Sequence, residues 1–573
     1  MRRAPIALVM LCVALALPAG GQETSNETRG EQRTFASEVE VTVGNIDVFV
    51  RDRDGNPVEG LTAKDFRVLQ DGAEMSITNF TSMSADMLEP APVQSVADAT
   101  ESDPNTTIPH PIEPTRVILI FDNENLFPPD RTRVMKGVRT FVDEVLAARV
   151  EMMVLSTRRS VAVGQPFTTD RDAVMRALDR VAKESAARVA LDRERRAILV
   201  ELERFANQAA RESYVDFLDD VDSRVFKAQM QGRITAYVDQ ESGVLWDTLR
   251  NLREVVRMVS GIGGRSSIVY VSNGLSMTPG LDLMHEFAEV FLDNTIYTRI
   301  AQRTFASEFR SLTDAANREG VSLYTVDASG LKPPLGFDAD DRYVPEAAAS
   351  WVATANQQES MGFMADATGG IAVLDSNDVT EGLRHVRDDF VSYYSIGYRI
   401  SAAGDDTAHR IEVQLPQHPD YEIRHRKWLI EVSLATRVRE RVLQALLRDL
   451  EFNPLGVELT AGPPAEVSAR RWEVPLIVSI PVNRLGLTPA EDDLVADLEL
   501  FISVRDERGR ETPVHQRVVQ LRIPRAGFAP EREQRYELSL PMVFRKEQHT
   551  VAVGLMDRST EQTSYARMVV DVR

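Results

Sequence analysis

Cysteine is almost absent from this chain: Cys12 is the single one in 573 residues. It lies inside an N-terminal apolar run and lacks the preceding small residues of a bacterial lipid-attachment site. A disulfide-stapled fold is excluded, and so is a cysteine nucleophile once that run is removed. Positive charge is also short. The 66 Lys and Arg against 87 Asp and Glu leave a formal net charge of -21, which argues against nucleic acid as a partner, because phosphates need a basic surface. Beyond the leader no stretch reaches the roughly 18 uninterrupted apolar residues of a membrane span. No Gly-x-Ser-x-Gly elbow and no phosphate-binding loop is present.

What is there begins with Met1 to Gln22, which has the parts of a secretory signal: Arg2 and Arg3, an apolar run from Ile6 to Leu17, then Ala19-Gly20-Gly21. Cleavage is expected near Gly21, giving an exported chain, periplasmic or secreted, with no membrane span in the mature part. The length implies several domains. The pattern divides the chain into a signal (1–22), a disordered lead (23–37), a small β unit (38–83), a linker rich in Pro, Asp, Ser and Thr (84–114), an α/β domain (115–400), further strands with a connecting helix (401–450), and a C-terminal β-sandwich-like domain (451–573).

The α/β domain carries the argument. Val117 to Phe121 is a run of five apolar, mostly β-branched residues that suits a strand buried on both faces. It stops at Asp122, and the acidic loop Asp122-Asn123-Glu124-Asn125 follows. Strand and helix patterns then alternate: a helix over 131–149, a strand over 150–156, a helix capped by Thr168-Thr169-Asp170, strands over 267–271 and 322–326, and a late helix over 381–391. Such alternation builds a mostly parallel sheet with helices on both faces. In such sheets ligands bind at the carboxyl ends of the strands, where Asp122 stands.

One segment breaks the alternation. From about 183 to 235 the chain is charged, free of Gly and Pro until Gly232, and apolar at helical spacing (Leu199, Leu202, Phe205, Ala206, Ala209). It predicts a helix pair inserted into the α/β domain, either a solvated arm packed on its host or a partner-binding arm. Two phrases, VRDRDGNPV from Val50 and VRDERGRETPV from Val504, echo each other and predict similar hairpins. His285-Glu286-Phe287-Ala288-Glu289 lacks the second histidine of a zinc-protease helix and reads as solvated helix charge. Gly261-Ile262-Gly263-Gly264 reads as a helix stop.

Several phrases in order resemble a known family: the strand ending at Asp122, GIGGRSSIVYVSNGL at 261–275, AANREGVSLYTVDASGL at 315–331, ADATGGIAVLDSNDVTEGLRHVRDDFVSYYSIGYRI at 365–400, and the opening VFVRDRDGNPVEGLTAKDFRVLQDG. Over about residues 38–430 they look like exported bacterial proteins with the acidobacterial-type von Willebrand factor A-related domain. The resemblance implies a Rossmann-like A domain, to which the residue pattern adds the helical insertion and flanking all-β units. It implies little about activity, and the leading reading of the residues is a non-catalytic binding or adhesion role toward a protein or surface polymer. The rival readings are a structural envelope component without metal and an unrecognised hydrolase.

A classical A domain holds a divalent ion through an Asp-x-Ser-x-Ser loop, a Thr from a second loop and an Asp from a third, with one position left for an acidic group of the partner. Here Asp122 matches, but the serine positions hold Glu124 and Leu126, and the third-loop position is Asn273. The Thr position is not placed, and Ser242 is a candidate for it. Two readings stay open. In one, Asp122 caps the sheet end by bonding backbone amides, with no metal. In the other, a rearranged site of Asp122, Glu124, Asn125 and Asn273 holds Ca²⁺ or Mg²⁺.

Overall fold

The structure is a computed structural model. It describes residues 43–84, 115–147, 150–184, 188–209, 218, 220–259, 265–300, 303–331, 347–400, 404, 406–430, 432–447, 452–468, 470–490, 492–525 and 534–572. The expected signal, the lead, nearly all of the linker and the Gly261–Gly264 stop lie outside the described residues.

A six-stranded sheet forms the middle of the α/β domain. Its order is Ala372–Val373, Ser322–Asp327, Ser266–Ser272, Arg116–Asp122, Glu151–Thr157 and Val161–Thr168, all parallel except the last. Arg116–Asp122 is central because both faces of its pleat are apolar and both are covered. Val117, Leu119 and Phe121 pack on the helices Pro128–Ala147, Arg171–Val181 and Thr380–Val391. Ile118 and Ile120 pack against the helices Val221–Val259 and Ala306–Arg318, with Met364 of Ala347–Thr368 in the same core. Asp170 caps its helix as the sequence predicts, accepting from the amides of Asp172 and Ala173. The antiparallel edge strand and the helices Leu281–Phe291 and Ala347–Thr368 are not legible in the periodicity reading.

The predicted insertion is a pair of helices, Val189–Ala209 and Val221–Val259. The second runs 39 residues without a break, about 58 Å at 1.5 Å per residue. It therefore serves two cores. Its first half joins Ile198, Leu199 and Leu202 against Leu283, Phe287 and Phe291, and its second half covers the sheet through Leu245, Leu249, Leu252 and Val256. The helix bearing His285 and Glu286 is thereby enclosed. Glu286 is buried rather than solvated, in a helix whose Leu283, Phe287 and Phe291 pack on the insertion.

The flanking strands also differ from the expected division. The sequence places 38–83 as a unit of its own and ends the α/β domain near residue 400. In the structure Tyr393–Arg399 pairs with Val43–Arg51 and Ile77–Met83, and Ala408–Gln414 pairs with Arg67–Gln70. Segments from either side of the α/β domain thus build one β-sandwich around Ile46, Val48, Phe66, Tyr394, Ile396 and Ile411. Neither segment has enough strands to bury its apolar face alone.

Buried charge ties that sandwich to the α/β domain. Asp389 accepts from Arg51 at 3.0 Å and from Arg424 at 2.5 Å. Arg265 pairs with Asp47 at 3.1 Å and lies over the rings of Phe49, Tyr393 and Phe390.

The C-terminal region, residues 458–571, forms two antiparallel sheets around one apolar core, and the helix Leu434–Ala445 packs against one of them through Val438 and Val442. The two echoing phrases fold alike. Asp52 Oδ1 accepts from the amides of Asp54 and Asn56, and Asp506 Oδ1 from those of Arg508 and Arg510. Among the described residues no helix is long and apolar enough to cross a membrane.

Candidate functional site at the carboxyl edge of the sheet

Strand alternation decides what meets Asp122. It shares a face with Ile118 and Ile120, the face under the long helix Val221–Val259. On the neighbouring strand Tyr270 and Ser272 share the face of Ile268. All three polar groups are buried and converge. Tyr270 Oη donates to Asp122 Oδ2, as do Ser272 Oγ at 3.1 Å and Asn125 Nδ2 at 2.8 Å. Asp122 has no exposed surface. Burial raises its carboxyl above the ordinary range, and the three donors work against that rise. The capping partners are side chains, together with the Asn125 amide at 3.4 Å.

The other predicted site residues separate. Asn125 is beside Asp122, and its own Oδ1 accepts from Arg188 Nη1 at 2.8 Å. Arg188 immediately precedes the first insertion helix, and its Nη2 donates to Glu241 Oε1 at 2.8 Å. Glu241 also accepts from Ser276 Oγ at 2.8 Å and from the Gly280 amide at 2.9 Å. Asn273 turns elsewhere: its Oδ1 accepts from the Phe127 amide at 2.9 Å and its Nδ2 donates to Asp130 at 2.5 Å. It pins the loop after the central strand to the start of the helix Pro128–Ala147. Glu124 is half-buried, and its carboxyl is raised by burial first and by the Asp122 charge second, with Arg158 and Arg159 opposing. Ser242 lies inside the long helix next to Glu241 and on no loop. Leu126 is a core residue.

A second cluster sits on the opposite face. Asn123 donates to Glu184 at 2.5 Å and accepts from Arg131 at 2.9 Å, and Ser156 donates to Glu184 at 3.2 Å.

A hard cation needs six or more oxygen ligands at close range. At this edge Asp122 Oδ2, Asn125 Oδ1 and Asn273 Oδ1 already accept from N–H or O–H donors, and a guanidinium stands against Asn125. Of the predicted set Glu124 keeps a buried carboxylate oxygen, Oε2, with no hydrogen-bond partner among the described residues, and one free oxygen is too few, so the residues present do not fit a divalent ion. Among the described residues no three His, Cys, Asp or Glu side chains cluster in a way that would hold one.

Above these groups opens a polar cavity of about 650 Å³, lined among others by Asn125, Asp130, Arg188, Arg196, Asn273 and Gln357. The sequence reading missed Arg188, Glu241, Tyr270 and Ser272. For the last two a signal exists: polar residues two apart in the otherwise apolar strand SSIVYVS share one face. For Arg188 and Glu241 there is none, since both sit among many charged residues of the insertion.

No family model matches the chain, and no curated protein matches it. Among solved structures, the chain is similar to an aerotolerance-related membrane protein from Bacteroides fragilis at 10% identity and TM-score 0.22, covering 48% of this chain and 98% of that one. It is also similar to the conserved hypothetical protein BatB from Bacteroides thetaiotaomicron, at 11% identity and TM-score 0.23, covering 48% and 96%. A third is proximal thread matrix protein 1 of the mussel byssus, at 10% identity and TM-score 0.23, covering 50% and 48%. Likeness at this level leaves the chain's own geometry as the ground for its function.

Proposed function

We propose that this is an exported, non-catalytic binding protein of the von Willebrand A type, which holds a protein or surface polymer at the carboxyl edge of its parallel sheet. The observation that carries the reading is the polar cavity of about 650 Å³ over the end of the central strand, walled by the loop at Asn125, the loop at Asn273 and the insertion at Arg188 and Arg196. Ligands of open α/β sheets bind at such edges. The strand order, with one antiparallel edge strand beside five parallel ones, supports the A-type assignment suggested by the sequence phrases.

The same cavity supports binding over catalysis. Ser329 Oγ, at its rim, donates to Asp327 at 2.6 Å within a turn in which the same carboxylate oxygen also accepts from the Ser329 amide, and no histidine is among the described lining residues to act as a base. The rival structural role places the contacts on the β-sandwiches instead.

The test is capture of a partner from the native envelope with the mature chain, followed by affinity measurement with that purified partner. Arg196→Glu, at an exposed position on the cavity wall, is expected to weaken binding at least about tenfold, or 1.4 kcal/mol, with the melting temperature unchanged. Equal affinity would place the contact elsewhere and overturn the reading. Turnover of ester, peptide or glycoside substrates that is abolished by Ser329→Ala would establish the hydrolase instead.

A further inference from the structure

A carboxylate taken out of water must be matched by a cation or by strong donors, or it gives up its charge. Two such carboxylates lie about Arg188 at the sheet edge. Asp122 is fully buried and Glu241 nearly so. The Arg188 guanidinium, itself buried, is the cation between them. It reaches Glu241 directly at 2.8 Å. It reaches Asp122 through one amide, because Arg188 Nη1 donates to Asn125 Oδ1 at 2.8 Å and Asn125 Nδ2 donates to Asp122 Oδ2 at 2.8 Å. Its Nε lies 3.5 Å from Asp192 Oδ1, in the first turn of the helix that Arg188 precedes.

We infer that Arg188 is a tethered cation that takes the place of the divalent ion in this A-type site, so that binding at the sheet edge requires no metal. This rests on the binding reading above. An ordinary A domain borrows its charge from solution, and its affinity follows the free ion. Here the charge is covalently part of the insertion and is always protonated. Burial works against the guanidinium, and Glu241, Tyr237 and Asp192 together more than restore it.

The structural reason is the length of the helix Val221–Val259. Its second half covers the face on which Asp122 lies, and its middle carries Glu241 to the sheet edge. The partner helix Val189–Ala209 packs back along it and starts at the same edge, which delivers Arg188. The substitutions at Glu124, Leu126 and Asn273 are the other half of the exchange. Ligands for a metal are lost where a guanidinium has arrived.

Calorimetric titration of the mature full chain with Ca²⁺, Mg²⁺ and Mn²⁺ tests the inference, together with melting curves in each ion and in EDTA. The wild type is expected to give no binding heat and a melting temperature that no ion moves. Partner affinity should change less than about twofold on adding EDTA. Arg188→Ala leaves the oxygens of Glu241, Asp192 and Asn125 facing a hole of guanidinium size. Its melting temperature should fall and be partly restored by millimolar Ca²⁺ or Mg²⁺, whereas Arg188→Lys, which keeps a charge, should stay indifferent to ions.

The inference is overturned by stoichiometric ion binding in the wild type that Asp122→Ala abolishes, or by an Arg188→Ala variant that no cation rescues. Should Arg188→Ala not fold, the wild-type titration decides alone, since Asp122-dependent ion binding overturns the inference and its absence supports it. Failure to find any partner sinks the binding reading without touching the ion results, and a partner lost in EDTA overturns only the tethered cation.

Discussion

Arg424 and Asp389 come from different folding layers and meet at 2.5 Å, the guanidinium from the β-sandwich and the carboxylate from the last helix of the α/β domain. Asp389 is almost fully buried and accepts from Arg51 as well. Asp389→Ala leaves two arginines without their common partner. The expected loss is about 3–5 kcal/mol, as for breaking other buried pairs, read as a lower denaturant midpoint. A loss within about 0.5 kcal/mol would mean that the sandwich is not clamped at this point.

Tyr270→Phe removes one of the three side-chain donors to the Asp122 carboxylate. Bonds to charged groups contribute about 1.5–3 kcal/mol, and a stability loss of that order is expected. The Asp122 carboxyl, already raised by burial, should rise further, which carboxyl NMR titration would detect. An unmoved titration would show that the hydroxyl does not hold the charge.

Stability should fall as pH rises from the ordinary glutamate range to about 8. Glu440 lies at the contact of the helix Leu434–Ala445 with the α/β domain, where Arg318 Nε stands 3.2 Å away. Its carboxyl is pushed up to about 8, by burial first and then by the hydrogen bond and charge of Glu319. Between the unfolded and folded values the folded chain holds a proton that the unfolded chain has released, so stability declines through that window and levels off above it. Urea melts across the window should show a negative slope that Glu440→Gln reduces. An unchanged slope in the variant would assign the effect to other groups.

Gly370 and Gly362 offer a matched pair. A Cβ on Gly370 would stand 1.9 Å from the Leu323 carbonyl oxygen, between two strands of the parallel sheet, whereas one on Gly362 meets nothing within 4 Å. Gly370→Ala should cost about 3 kcal/mol or more, because backbone must move. Gly362→Ala, inside the helix Ala347–Thr368, should stabilise by about 0.5–1 kcal/mol. Thermal melts of the two variants should move in opposite directions.

Phe287 tests whether the insertion belongs to the body of the protein. It is fully buried between the insertion helices and its own helix. Phe287→Ala should cost about 3–5 kcal/mol and open Val189–Ala209 to limited proteolysis. An insertion cut equally fast in the wild type would be an independent arm.

Much of the α/β framework is legible in residue order because its strands are short apolar runs and its helices carry one apolar stripe, both local properties. The helix Ala347–Thr368 escapes for the converse reason: apolar and polar residues lie all around it, so it shows no stripe. At the site, Asp122 is legible as the polar residue that ends a buried strand. Arg188 is not, because nothing near it distinguishes it from the arginines beside it.

The sequence by itself determined the central strand, the acidic loop after it, the alternation around it, the two matching hairpins and the presence of a helical insertion. Each follows from the spacing of apolar residues or from a turn chemistry confined to a few positions. Tertiary structure alone decided that residues 43–83 and 393–430 share one sandwich, and that Asn273 turns to Phe127 and Asp130. It also decided that an arginine 66 positions after Asp122 faces the loop at the strand end. These are pairings across long separations. They are set by which faces must be buried together and which buried charges must be neutralised, and the order of residues does not record either.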